Sequence, residues 1–228
     1  MRWISFLRKM ARIITERTLL LRACDAGAFG RAESIGSSKV SHALFTFPEG
    51  DVCEEVFERI ELAGMHLVCL ERAWAGRLER MGLKTYTRWH MQPQEAYRTD
   101  ACGQLPEGYA LHPFDEAAFA EKPFGHGAQY RDYADFAARG AGAVVRHEGK
   151  IVAAASSFLT HGKEVEMDIS TDEGHRRKGL ACACAAAMLK DCMERGITVH
   201  WDAQNEASRR LALRLGYEVG CEYDVFLG

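Results

Sequence analysis

The chain has 228 residues, 47% of them hydrophobic and 27% charged, which is the composition of a globular protein and excludes collagen-like, disordered and low-complexity chains. Lys and Arg number 29 against 32 Asp and Glu, a net charge of −3. This balance argues against a nucleic-acid-binding protein, which needs basic side chains to neutralise phosphates. The length allows one large domain or two small ones.

The segment 1–24 contains apolar residues that recur at spacings of 4, 3 and 4, which predicts an amphipathic helix. They are Trp3, Leu7, Met10 and Ile14. Such a helix packs on the protein itself or lies on a membrane surface, and we favour the first. The apolar runs are too short for a secretion signal or a membrane span. The sequence therefore predicts a soluble, cytoplasmic protein without a membrane partner.

Residues 1–98 show mixed helical and strand patterns and no recognisable catalytic motif. The predicted elements are a strand over 40–47, a helix over 52–62, a strand over 65–70 and a helix over 73–81. Turn residues and a proline cluster at 98–108, which indicates a domain boundary. We therefore predict a smaller α/β domain of unassigned role over 1–105 and a second domain over 106–228.

The second half begins with a pattern typical of β-strands. A strand from Tyr109 and partly helical sequence over 113–142 precede two β-like stretches that meet at Glu148-Gly149, which predicts a tight hairpin. Glu164–Thr171 then alternates polar and apolar residues, the period of a half-buried strand.

The remaining sequence predicts two helices and short strands. A helix over 180–195 ends at Gly196, a strand covers 198–201, and a final helix is capped by Asn205 and ends at Gly216. Closing strands are predicted over 217–219 and 222–227. The eight cysteines contain no Cys-x-x-Cys pair and no zinc-ligand spacing. We therefore predict eight reduced, mostly structural cysteines and no bound metal.

The turn between the alternating strand and the next helix is the most informative segment. It reads TDEGHRRKGLA over 171–181. A helix N-terminus exposes backbone N–H groups and carries partial positive charge, so a glycine-containing basic turn in front of it suits a pyrophosphate. The turn is neither a P-loop nor a dinucleotide-binding loop. By itself it is equally consistent with a solvated basic turn.

Two motifs together resemble a known family. Arg176 to Ala181 fits the Arg/Gln-x-x-Gly-x-Gly/Ala signature of the GNAT acetyltransferase superfamily, and an Asn205-led helix closing in Leu215-Gly216-Tyr217 resembles its second signature. Within the superfamily, 171–181 and 201–205 are similar to zwittermicin-resistance-type acetyltransferases. The resemblance covers about residues 129–219 and implies an α/β (α+β) fold, a mixed, mostly antiparallel sheet flanked by helices.

The resemblance also implies a binding site for acetyl-coenzyme A (acetyl-CoA) as cosubstrate. Backbone groups near Ile169 and Thr171 would pair with the pantetheine arm. Asn205 and Ser208 would lie towards the thioester, although Asn205 is equally interpreted as a helix N-cap. The pyrophosphate would bind the backbone amides of Arg176, Arg177, Lys178, Gly179, Leu180 and Ala181.

The implied reaction is direct transfer of an acetyl group to an amine, which needs a base for the amine proton. Glu164, Glu166 and Asp168 share one face of the strand, and we favour Glu166, with Asp168 second, although a solvated polar face remains the alternative. Many family members carry a tyrosine as general acid seven positions after the Asn, where this chain has Ala212. The residues left as substitutes are Tyr217, Tyr223 and His200.

The leading functional hypothesis is therefore an N-acetyltransferase acting on a small-molecule amine, such as an antibiotic, with a role in antibiotic resistance. A second hypothesis is an acetyl-CoA-binding sensor without turnover, and a third is a protein or peptide N-acetyltransferase. The sequence leaves a homodimer open and predicts no nucleic-acid partner.

Overall fold

The computed structural model describes residues 30–42, 46–69, 72–94 and 96–228. The predicted amphipathic helix of segment 1–24 lies outside the described residues. The chain divides into two compact units, one formed by residues up to His90 with Gly220–Gly228, and one formed by Met91–Val219. Segment 98–108, where the sequence predicts a boundary, lies in the second unit.

The described elements are numbered in chain order. The strands are β1 (Arg31–Ile35), β2 (Ser38–His42), β3 (Thr46–Gly50), β4 (His66–Val68), β5 (Lys84–Gln92), β6 (Tyr109–Pro113), β7 (Gly142–His147), β8 (Lys150–His161), β9 (Glu164–Thr171), β10 (Thr198–Ala203) and β11 (Glu218–Leu227). The helices are α1 (Glu54–Arg59), α2 (Arg72–Arg80), α3 (Glu116–Glu121), α4 (Tyr133–Arg139), α5 (Leu180–Glu194) and α6 (Glu206–Arg214).

The first unit is a sheet in the order β1-β2-β3-β4-β11-β5, covered by α1 and α2. β1, β2 and β3 are antiparallel neighbours. The indole N–H of Trp74 donates to the Gly50 carbonyl at 2.9 Å, which satisfies the one polar group of this otherwise buried ring. The core of the unit combines strand and helix residues, among them Ile35, Val40, Val56, Leu67, Trp74, Leu78 and Phe226.

The second unit is a sheet in the order β10-β9-β8-β7-β6, in which only β9 and β10 are parallel. α5 packs across β7 and β8. Its inward residues include Leu180, Cys184, Met188 and Cys192, all buried and spaced to lie on one helical face. The structure thus confirms the predicted mixed, mostly antiparallel sheet flanked by helices.

Local signals located several elements correctly. β9 has the predicted bounds, and β7 and β8 form the predicted antiparallel hairpin. Glu148 and Gly149 both have positive φ, 50° and 78°, as a two-residue turn that follows the twist of its strands requires.

Other predicted elements differ from the structure. The strand predicted over 40–47 is two strands, β2 and β3, and the two closing strands are one, β11. β5 was not predicted, although its Thr, Tyr and Trp residues favour strands, because its polar and apolar positions do not alternate regularly.

The cysteine prediction was wrong at one pair. Cys102 and Cys182 form a disulfide with 5.6 Å between their Cα atoms, a separation typical of such bonds. The two cysteines are 80 positions apart, so no local spacing could have indicated the pairing. Cys184 and Cys192 are free, and burial raises the pKa of each thiol to about 12, which makes them unreactive as the structural interpretation expects.

Candidate functional site

A gap opens between two parallel strands in the second unit. β9 and β10 pair over only three positions, from Thr198 opposite Glu164 to His200 opposite Glu166. Both strands continue beyond this point, β9 to Thr171 and β10 to Ala203. The side of β9 that faces β10 is therefore open to another extended chain from Met167 onwards. Amide groups along such a chain could pair with β9 as an added strand does.

The turn after β9 brings backbone N–H groups to the end of this gap. A single helical turn, Glu173–His175, is capped by the Asp172 carboxylate, which accepts from the Gly174 N–H at 3.1 Å. The following residues Arg176–Gly179 are exposed, and α5 begins at Leu180.

The first turn of α5 has no capping side chain, because its N-cap is Gly179. The N–H groups of a first helical turn have no partners inside the helix. Gly179 has a φ of 80°, and a Cβ added to it would meet nothing within 4 Å. The backbone at the start of α5 is therefore sterically open and carries the positive end of the helix dipole.

Arg177 adopts a left-handed backbone conformation with a φ of 62°. This conformation is costly for a residue with a Cβ and free of cost for glycine. Arg177 therefore carries a backbone strain that a glycine at this position would avoid.

The side chains around the turn bring positive charge to its border. Lys178 Nζ donates to the Tyr109 hydroxyl at 2.8 Å, and this hydroxyl lies 2.9 Å from His175 Nδ1. Arg176 lies 3.6 Å from the carboxylate of Glu173, and both of these side chains are largely exposed. Lys178 and Arg176 thus place positive charge beside the exposed turn that leads into α5.

The next helix begins differently. Asn205 is its N-cap, and Oδ1 of Asn205 accepts from the Ser208 N–H at 3.0 Å. The Ser208 hydroxyl in turn accepts from the Trp201 indole at 3.0 Å. The N-cap interpretation of Asn205 is confirmed, while a contact of Asn205 or Ser208 with a cofactor stays a prediction.

The three acidic residues of β9 have different surroundings. Glu164 Oε2 lies 2.6 Å from His200 Nε2, so this pair is engaged in the sheet. Oε1 of Glu166 is buried. The side chain of Asp168 is 46% exposed, against 28% for that of Glu164.

Asp168 has a neighbour that the sequence did not reveal. His126 lies in the connection between α3 and α4, is 2% exposed, and brings Nε2 to 3.6 Å from Asp168 Oδ2. Burial lowers the pKa of His126, although the negative charge of Asp168 acts in the opposite direction. No motif or spacing marks this single histidine in the sequence.

The substitutes considered for the missing general acid are engaged elsewhere. The Tyr217 hydroxyl donates to the Val199 carbonyl at 2.9 Å, and burial raises the pKa of Tyr217 well above its ordinary value. His200 lies against Glu164, and Tyr223 lies on β11 in the other unit. Ala212 is fully buried on α6.

The described part of the chain lacks membrane-crossing helices and metal-ligand clusters. None of its helices is long and apolar enough to cross a membrane. In the same part of the chain, no three His, Cys, Asp or Glu side chains are grouped as a metal site would require.

The fold agrees with comparisons to known proteins. Residues 28–226 match the model of the GNAT acetyltransferase family. The uncharacterized N-acetyltransferase YdfB of Bacillus subtilis is 34% identical over 129 residues, 54% of this chain and 49% of that protein. The alignment thus spans about half the length of this relative.

Solved structures share the fold. A GCN5-related N-acetyltransferase-like protein from Streptococcus suis superposes with a TM-score of 0.79 at 24% identity, covering 97% of this chain and 98% of that one. A GCN5-related N-acetyltransferase from Kribbella flavida has a TM-score of 0.60 at 16% identity, covering 91% and 95%. Since the family model matches nearly the whole chain, the protein belongs to the GNAT acetyltransferase family.

Proposed function

We propose that this protein is cytoplasmic and transfers the acetyl group of acetyl-CoA to the amine of a small molecule, a reaction that fits its resemblance to zwittermicin-resistance-type enzymes. The observation that carries the proposal is the uncapped, sterically open start of α5 beside the gap between β9 and β10. A diphosphate at the helix and an extended amide-bearing arm in the gap would use both features at once.

The residues present fit acetyl-CoA. The backbone amides from Arg176 to Ala181 would hold the pyrophosphate, and the backbone of Ile169 and Thr171 would pair with the pantetheine arm. The Thr171 hydroxyl supports this placement, because its oxygen is buried without a hydrogen-bond partner among the described residues. When bound, acetyl-CoA supplies an acetyl group activated as a thioester.

The acidic face of β9 would receive the acceptor. Glu166 and Asp168 attract a protonated amine by their negative charge. The ammonium would first lose one proton to a carboxylate oxygen, which later releases it to water, and the freed lone pair would then attack the acetyl carbon. As the amide forms, the nitrogen would lose its second proton, which balances the charge of the CoA thiolate that leaves. Asp168 becomes our first candidate for this base because its side chain is 46% exposed whereas one carboxylate oxygen of Glu166 is buried, and Glu166 remains the second candidate.

The test combines calorimetry with a turnover assay. We expect acetyl-CoA to bind the purified protein and thiol to be released in the presence of some member of a panel of small amines that includes aminated antibiotics. Asp168→Asn should lower kcat about 100-fold or more, the contribution of a positioned base, with unchanged acetyl-CoA affinity. Glu166→Gln serves as the matched variant, and a larger loss there would make Glu166 the base. Absence of acetyl-CoA binding would contradict the whole proposal.

A second candidate function is an acetyl-CoA-binding sensor without turnover. It is favoured by the buried Ala212 at the position of the usual acid and by the engagement of Tyr217 with Val199. It predicts stabilisation by acetyl-CoA of about 2.7 kcal/mol at a hundredfold excess over Kd, without thiol release from any amine. Peptide amines in the same panel test the third hypothesis, a peptide acceptor.

A further inference from the structure

We propose that His126 is a positioning residue that orients the Asp168 carboxylate for the amine acceptor. The inference rests on the proposed function, since Asp168 has a chemical role only if acetyl transfer takes place. The inference assigns a role in that function to His126, which lies outside β9 in the connection between α3 and α4.

The imidazole of His126 bridges two neighbouring strands. Nδ1 lies 2.6 Å from the Ser156 hydroxyl on β8, and Nε2 lies 3.2 Å from the Ser170 hydroxyl on β9. Ser156 and Asp168 are directly opposite each other in the register of these strands. The same Nε2 that faces Ser170 lies 3.6 Å from Asp168 Oδ2, so the ring contacts both members of this cross-strand pair.

The ring has little freedom to turn. The side chain of His126 is fully buried, and the aromatic rings of Phe114 and Phe124 lie 6.4 and 6.3 Å from it between centroids. A polar ring in such surroundings is stable only while its nitrogens have hydrogen-bond partners, which are the hydroxyls of Ser156 and Ser170. The backbone N–H of His126 donates to the Pro123 carbonyl at 2.9 Å and holds the base of the side chain.

These contacts indicate which nitrogen of the His126 ring carries the proton. Burial lowers the pKa of His126, so the ring is neutral near pH 7 and carries one N–H. The titratable group facing it is Asp168 from β9, and the other facing groups are the hydroxyls of Ser156 from β8 and Ser170 from β9. A lone pair at Nε2 would repel the carboxylate. The proton therefore lies on Nε2, and Nδ1 accepts from Ser156.

The consequence for Asp168 is a fixed orientation. The Asp168 side chain is 46% exposed, so solvent alone would not hold its carboxylate in one rotamer. An N–H dipole held by a buried ring favours one rotamer, and the contact can shorten to a hydrogen bond when the acceptor binds. His126 keeps its proton throughout, while Asp168 exchanges one with the amine.

Two conservative variants separate positioning from packing. The amide nitrogen of His126→Gln can replace Nε2, whereas that of His126→Asn can reach only the position of Nδ1. We expect His126→Asn to lower kcat about tenfold to a hundredfold, the effect of a displaced catalytic group, and His126→Gln to stay within about threefold of the unaltered protein. Acetyl-CoA affinity should be unchanged in both. The exposed His112, substituted as His112→Asn, is the matched control.

The outcomes are distinguishable. Equal losses in both His126 variants would indicate a packing role and overturn the inference, as would an unchanged kcat in His126→Asn. Nitrogen-15 NMR of the unaltered protein tests the same contact without relying on folded variants, since a proton on Nδ1 at pH 7 would also overturn it. If the unaltered protein binds acetyl-CoA but acetylates no amine, the proposed function fails instead, and with it any catalytic meaning of His126.

Discussion

Two strand–turn–helix segments of the second unit follow the same course and begin their helices in opposite ways. β9 leads into α5 and β10 leads into α6, and the two strands are parallel neighbours. α5 starts at Gly179 with no capping side chain, whereas α6 starts at Asn205, whose side chain accepts from the Ser208 N–H. The first N–H groups of α5 therefore need hydrogen-bond partners from outside the helix. In α6, one of these N–H groups is already bonded to the side chain of the N-cap residue.

The comparison indicates that one of these two similar segments is built for local stability and the other for binding a ligand. An Asn N-cap is worth about 1 kcal/mol over an alanine at that position, and roughly a few tenths of a kcal/mol over a glycine such as Gly179. α5 forgoes this gain and also holds Arg177 in a left-handed conformation, which adds a further cost. The segment with the less stable local structure is the one placed beside the gap after Glu166, which is consistent with a ligand supplying the missing partners.

The largest effect is expected from a substitution that blocks the open N-terminal start of α5. Gly179→Trp should weaken acetyl-CoA binding about 100-fold or more, equal to about 2.7 kcal/mol, because the indole would occupy the space where the backbone meets the diphosphate. Isothermal titration calorimetry measures this.

Gly162→Trp is the control for that variant. Gly162 has a comparable φ of 61° and an equally open Cβ position, but it lies in the turn before β9, at the other end of the strand. Equal affinity losses in the two tryptophan variants would show that the start of α5 is not the diphosphate site.

A smaller effect is expected at the capped helix. Asn205→Ala should lower the free energy of unfolding by about 1 kcal/mol through loss of the cap, whereas Asn205→Ser, which can still cap, should stay within about 0.5 kcal/mol. Urea denaturation gives both values. If both variants also lost acetyl-CoA affinity by about tenfold or more, the contrast between the helices would weaken, since Asn205 would then contact the cofactor as well as the backbone.

The smallest effect is expected at Arg177, whose left-handed backbone conformation is costly for arginine. Arg177→Gly should raise the free energy of unfolding by up to about 1 kcal/mol, because glycine adopts a φ of 62° without strain. Acetyl-CoA affinity should stay within about threefold, since the phosphate contacts are expected from the backbone. A larger loss of affinity, measured by the same calorimetry, would assign the Arg177 guanidinium to phosphate binding.

The elements predicted well are those whose signals lie within a few residues. The alternation of Glu164–Thr171 defined β9, Glu148-Gly149 defined the hairpin, and Asn205 marked the start of α6. β5 escaped prediction because its residues favour a strand without alternating. The choice of Glu166 as base rested on its central place in β9, and the sequence held no information on burial that would have ranked Asp168 ahead of it.

Caps, turns and the β9–α5 segment were determined by the sequence itself, because each depends on interactions between residues that are neighbours along the chain. The disulfide of Cys102 with Cys182, the contact of His126 with Asp168 and the short pairing of β9 with β10 were decided only by the tertiary structure. These features join residues far apart in the chain. These interactions stabilise the protein only after the sheet and its connections have brought the partners together, so no local sequence pattern predicts them.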